Sequence, residues 1–183
     1  MSIVIPVKNS VLVTDNLPDG QYVGVLFRMV QLGTQPESFK GTVRPVRKIL
    51  LSWIIPSAHR MIDGESRPVH VHKKYTESLW EKAHLRKDII AILGRDVFNE
   101  LIDGQENYEL ERLLGLTCLI NTTQKSFGPN NRSYAEITSY QPLTDDEIIP
   151  EIDQETESLS FGNFNWDVFA SLTGRLRKTI ESS

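Results

Sequence analysis

Residues 69–81, VHVHKKYTESLWE, change their period part-way along. In the first eight the alternation puts Val69, Val71 and Tyr75 on one face and His70, His72 and Lys74 on the other, as in a strand with one side in a core. Ser78-Leu79-Trp80-Glu81 then fits the capping-box pattern, in which Ser and Glu satisfy free backbone amides at a helix start. The apolar residues Leu79, Ala83, Leu85, Ile89, Ile92 and Leu93 carry that helix to a stop at Gly94. Their spread is wider than a stripe, which suits one long helix plugging the end of a barrel.

Outward from this stretch, Asn16-Leu17-Pro18-Asp19-Gly20 has the proline and glycine of a tight turn, and residues 22–30 form a β-rich run. Residues 33–48 hold Gly33, Pro36, Gly41 and Pro45, so they read as a long excursion between strands. ILLSWII, residues 49–55, bounded by Pro56, is a second strand, and Asp63-Gly64 turns the chain into the third. Downstream, residues 107–114 read as a short helix ended by Gly115. Residues 116–124 and 134–140 read as strands, joined by the loop KSFGPNNRS at 125–133.

The order is strand, strand, strand, helix, strand, strand. The expected fold is therefore mainly β with one long helix: a five-stranded, OB-fold-like Greek-key barrel over residues 17–143. A small mixed α+β sandwich is the alternative arrangement of the same elements. Residues 1–16 are a polar lead-in. Residues 144–160 are acidic and poor in aromatics, a linker too polar to bury. In 161–183 an aromatic, amphipathic helix closes the chain, with Asn163 and Asn165 as candidate caps.

At 183 residues, 39% hydrophobic and 24% charged, the chain can bury one ordinary core. No apolar run approaches the roughly 18 residues of a membrane helix, and MSIVIPVKNS lacks the layout of a secretory signal. A soluble, intracellular protein is expected. The lone Cys118 lies in the apolar run LTCLIN and reads as a small buried hydrophobe. The net charge of −4 conceals a segregation. Residues 40–87 hold eleven basic side chains against four acids, and residues 145–157 hold seven acids and no base. A basic body beside an acidic run suits a polyanion binder, although charge alone favours two solvated faces.

LPDGQYVGVLFRMVQLGTQ (17–35), RKILLSWIIP (47–56), KKYTESLWEKAHLRKDI (73–89), LLGLTCLINTTQK (113–125) and SYAEITSYQPL (133–143) occur in one order. Together they resemble a family of small OB-fold single-stranded-DNA-binding proteins from the replication or recombination regions of tailed bacteriophages. The likeness covers about residues 17–150 and contains no catalytic motif. It implies an OB-fold, sequence-independent binding of single-stranded DNA, and a place in the cytoplasm of an infected bacterial host cell.

Such binding needs cations along the phosphates and aromatic faces for the bases. The candidate cations are Lys40, Arg44, Arg47 and Lys48 in the first loop, Lys73 and Lys74 on the third strand, and Lys125 and Arg132 in the last loop. The candidate platforms are Phe39, Phe127, Tyr134 and Tyr140; the two tyrosines share a strand face with Glu136 and Thr138, which predicts exposure. Trp53 shares its parity with Leu51 and Ile55 and reads as core, and Tyr22 and Tyr75 as barrel packing. His70 and His72 could bind zinc only with a third ligand that no nearby residue supplies.

No cofactor or metal is expected. No phosphate-binding glycine loop, dinucleotide fingerprint, nucleophile elbow or zinc motif occurs, so no enzyme is expected either. In the acidic and aromatic tail, Trp166, Phe169, Leu172 and Leu176 are candidate contacts to a replication or recombination protein or to a second copy, and the acids could compete with a strand for the basic groove. A structural or protein-interaction module without nucleic-acid binding is the other class open to this sequence.

Overall fold

The computed structural model describes residues 11–12, 17–149 and 151–183; the lead-in of residues 1–16 lies outside these apart from the backbone of 11–12. The chain is mainly β. Its elements are β1 (Val11–Leu12), β2 (Gly20–Phe39), β3 (Thr42–Ile62), β4 (Glu65–Thr76), α1 (His84–Leu93), α2 (Arg95–Ile102), a 3-10 turn at Leu110–Leu113, β5 (Thr117–Phe127), β6 (Arg132–Gln141), β7 (Glu157–Leu159), α3 (Trp166–Ser171) and α4 (Gly174–Glu181). Strands β2 to β6 form a curled antiparallel half-barrel in the order β4-β3-β2-β5-β6, to which β1 adds on β3 and β7 on β2.

The first excursion between strands is itself strand. Pro36 stands opposite Pro45 in the β2–β3 ladder, so the missing donors fall at a single rung, and pairing continues out to Phe39 opposite Thr42. Lys40 and Gly41, at φ of 50° and 81°, make the two-residue turn that matches the twist of a hairpin. Asp63 and Gly64, at 53° and 84°, do the same for β3–β4, as the sequence predicts. Pro56 does not end β3; the ladder slips between Ile55 and His59 and then resumes.

Alternation along β3 and β4 divides two layers. Ile49, Leu51, Trp53, Ile55, Val69, Val71 and Tyr75 point inward onto Leu85, Ile89 and Ile92 of α1 and Phe98 of α2. Trp53, 1% exposed, is core as expected, and full burial of such a side chain contributes roughly 1.5–3 kcal/mol. The other face of β3, with that of its neighbour β2, is also buried. Val30, Leu32 and Leu50 lie under Leu159, Val168, Leu172 and Ile180, and Val25, Phe27 and Ile54 under Ile152. A run such as ILLSWII, apolar at almost every position, requires cover on both sides, and the C-terminal segment supplies the second cover.

Three helix expectations are corrected. The helix before Gly94 begins at His84, with Ala83 as its cap. Ser78 Oγ accepts from Trp80 N at 3.2 Å, and Arg86 donates to the Leu79 carbonyl, so residues 78–83 are turn in place of the first helical turns. Gly94, at φ 85°, ends α1 and leads directly into α2. Residues 107–114 contain only the 3-10 turn. The terminal helix is two: Asn165 caps α3 through Asp167 N and Val168 N, while Leu172 is extended and Thr173 caps α4 anew. Nor is the acidic run wholly solvated, because Glu157–Leu159 pairs in parallel with Arg28–Val30 and Leu159 is 1% exposed.

Candidate nucleic-acid interface

The β2–β3 turn holds its flanking residues clear of the barrel. Phe39 is 53% exposed there, with Lys40 Nζ 5.5 Å and Arg44 Cζ 5.0 Å from its ring centroid. Among the described residues neither cation has an acid at ion-pair distance, so both keep their charge for a ligand. Lower on the stem the cations are committed. Lys48 Nζ donates to Glu37 Oε1 at 2.6 Å and Thr76 Oγ1 at 3.0 Å, and Arg47 pairs with Glu77 at 3.1 Å. The Lys48 hydrogen bond, aided by the charges of Lys48 and Arg44, holds the Glu37 carboxyl below its ordinary range.

The β5–β6 hairpin repeats the pattern. Phe127 and Tyr134 meet edge to face, centroids 5.6 Å apart, with Arg132 opposite Phe127 in register and free of an acid among the described residues. Lys125 is paired with Glu136, which raises its pKa. The two hairpins leave opposite ends of β2, and β4, paired with β3, meets the base of β6 at the seam. Thr76 of β4 abuts the stem of the first at Lys48, and Tyr75 touches Tyr140 of β6.

On β4 the outward stripe is His70, His72 and Lys74, of which Lys74 has no acid at ion-pair distance among the described residues. His72 Nδ1 lies 2.8 Å from Ser52 Oγ on β3. Crowding by protein, then His70 and Arg28, lower the His72 pKa to about 4, although one side of the residue reaches water. His70 is lowered too, by burial and then Arg28, so both rings are neutral at pH 7. Their centroids are 6.5 Å apart, and among the described residues no three His, Cys, Asp or Glu side chains converge to hold a metal ion.

Two expected contacts lie elsewhere. Tyr140 is 4% exposed, because the β5–β6 ladder slips between Asn121 and Thr122, leaving Thr138 as an extra residue. That bulge reverses the parity beyond it, turning Tyr140 to the Ile137 side. Lys73 points into the seam between β4 and β6, where it pairs with Asp88 at 2.7 Å over the rings of Tyr75 and Tyr140.

In the tail, Trp166 is 72% exposed and touches Phe164 and Phe169, whereas Leu172 is buried and Phe169 and Leu176 pack partly into the outer layer. No protein-family model matches the chain, and no curated protein does. Among the described residues no helix is long and apolar enough to cross a membrane. Sequence reasoning missed Arg28 and Ser52, which carry no local signal: Arg28 is one cation inside an apolar strand, brought to the outer face by a bulge at Phe27.

Proposed function

We propose that this chain binds single-stranded DNA without marked sequence preference, as an OB-fold barrel acting in phage replication or recombination in an infected bacterium. It performs no chemistry on the strand. The strand order β2-β3-β4, helix, β5-β6 supports the OB reading, since that fold binds along its second and third strands between the two hairpin loops. The observation that carries the function is the Phe39 tip, an exposed ring flanked by two uncommitted cations at the end of a rigid hairpin. Such a group stacks any base and contacts its phosphates. The Phe127–Tyr134 pair with Arg132 supplies a second platform at the other end.

Fluorescence anisotropy of labelled oligo-dT and of a duplex, at low and moderate salt, tests this. A preference for the single strand that survives moderate salt supports it. Absence of binding at low salt leaves the second reading, a non-enzymatic interaction module, which is favoured by the acids that neutralise Arg47, Lys48, Lys73 and Lys125. On that reading the exposed Trp166 is the contact to a replication or recombination protein or to a second copy.

A further inference from the structure

A third aromatic and cationic group lies hidden on the outer face. Phe27, 0% exposed, has the His70 ring at 4.5 Å and Arg28 Cζ at 5.2 Å from its centroid. The bulge that places Leu26 opposite Trp53 and Arg28 opposite Ser52 leaves Phe27 as the extra residue and turns both Phe27 and Arg28 outward. An aromatic ring, a second ring against it and a guanidinium beside them are the same chemistry as the Phe127–Tyr134 pair with Arg132.

What covers this group is the strap of residues 151–157. Ile152 packs on Val25, Phe27 and Ile54, Gln154 lies beside His70, and Glu157 Oε2 accepts from Arg28 Nε at 2.6 Å. Glu151, Asp153 and Glu155 face solvent above them, and the strap carries no base. Between residues 142 and 156 no strand or helix anchors it among the described residues. Ahead of the β7 ladder its hold is thus Ile152 and Gln154, with the Glu157 carboxylate where β7 begins, and that carboxylate occupies the cation that a phosphate would take.

We propose that Phe27, His70 and Arg28 form a further single-strand binding platform, and that the acidic strap is its resident competitor, lifting when a strand arrives. This rests on the proposed single-strand binding. The base stacks on Phe27 where Ile152 now packs, and the phosphate replaces Glu157 on Arg28. The part that lifts is residues 151–156, and at Glu157 only the side chain leaves Arg28; β7 stays paired with Arg28–Val30, and α3 and α4 keep their apolar contacts to Val30, Leu32 and Leu50.

The test compares the full chain with Ile152→Ser/Gln154→Ala, which loosens the strap without touching the barrel, by oligo-dT anisotropy at one salt concentration. Freeing a site that is open only a minor fraction of the time tightens apparent affinity in proportion, so the variant is expected to bind about tenfold more tightly. Adding Arg28→Gln to it is expected to remove that gain. In the unmodified chain, saturating oligo-dT is expected to shift the His70 imidazole resonances. Binding of equal strength by both chains with unshifted His70 resonances overturns the strap proposal alone. Binding by neither chain overturns single-strand binding itself.

Discussion

Tyr75 and Tyr140 share a hydrogen bond, hydroxyl to hydroxyl at 2.9 Å, across the seam between β4 and β6, where no ladder joins the strands. Tyr75 also donates to Asp88 Oδ2 of α1 at 2.8 Å, and Lys73 reaches the same oxygen. The latch thus ties both seam strands to the plugging helix. Burial, with Tyr140 and Asp88 against it, pushes the Tyr75 hydroxyl well above its ordinary range, so it stays protonated.

Tyr140→Phe removes one hydroxyl from that latch and is expected to cost about 0.5–1.5 kcal/mol. Tyr75→Phe also removes one of the two donors to Asp88 Oδ2, leaving Lys73 alone on it, and is expected to cost more. The double variant is expected to fall short of the sum, because both substitutions break the same bond. Urea unfolding measures all three, and full additivity contradicts the latch.

Phe39→Ala should weaken oligo-dT binding by about 1–3 kcal/mol, the worth of one stacked base, with an unchanged urea midpoint because the ring packs on nothing buried. Arg44→Gln should lower the salt dependence of binding by about one phosphate contact. Lys73→Met should instead lower stability and leave the salt dependence alone, since its charge is committed to Asp88. A salt slope that responds to Lys73 and not to Arg44 would reverse the assignment.

The lowered His72 pKa makes stability depend on acidity. A base whose folded pKa lies below its unfolded value takes up a proton on unfolding, so stability is full at neutral pH and falls as pH drops from about 6.5 toward 4. His70 acts in the same direction. His72→Gln should flatten this acid limb in urea midpoints measured from pH 7.5 to 5. An equally steep limb in the variant would assign the dependence to other groups.

Gly24 packs where a Cβ would lie 2.3 Å from Ile120 Cδ1. Gly24→Ala is expected to cost about 1–3 kcal/mol by overpacking, and Ile120→Val, which deletes that methyl, to restore part of it. Thermal unfolding of the single and double variants checks this, and a double variant weaker than both singles refutes it.

The strands, the Asp63-Gly64 turn, the Gly94 stop and the Asn165 cap were legible in the sequence, because each depends on residues within a few positions. The same local reading misjudged Pro36 and Pro45 as loop: whether a proline breaks a strand depends on its partner, and here Pro36 faces Pro45. Of the site, Phe39, Lys40, Arg44, Phe127, Arg132 and Tyr134 stand at exposed hairpin tips, where turn chemistry already places them. Tyr140 was not legible, because one extra residue at Thr138 reverses its side.

By itself, then, the sequence determined a β-rich chain with a basic middle, an acidic run and aromatic residues near its turns, since composition, period and turn residues act locally. Tertiary structure alone decided which cations remain uncommitted. Lys73 meets Asp88, Lys48 meets Glu37 and Arg28 meets Glu157 through strand register and the return of the tail. It also decided that the second apolar face of β2 and β3 is closed by residues 152–183. A buried face requires a cover, but the chain segment that supplies it is fixed only when the barrel curls and the tail lies down across it.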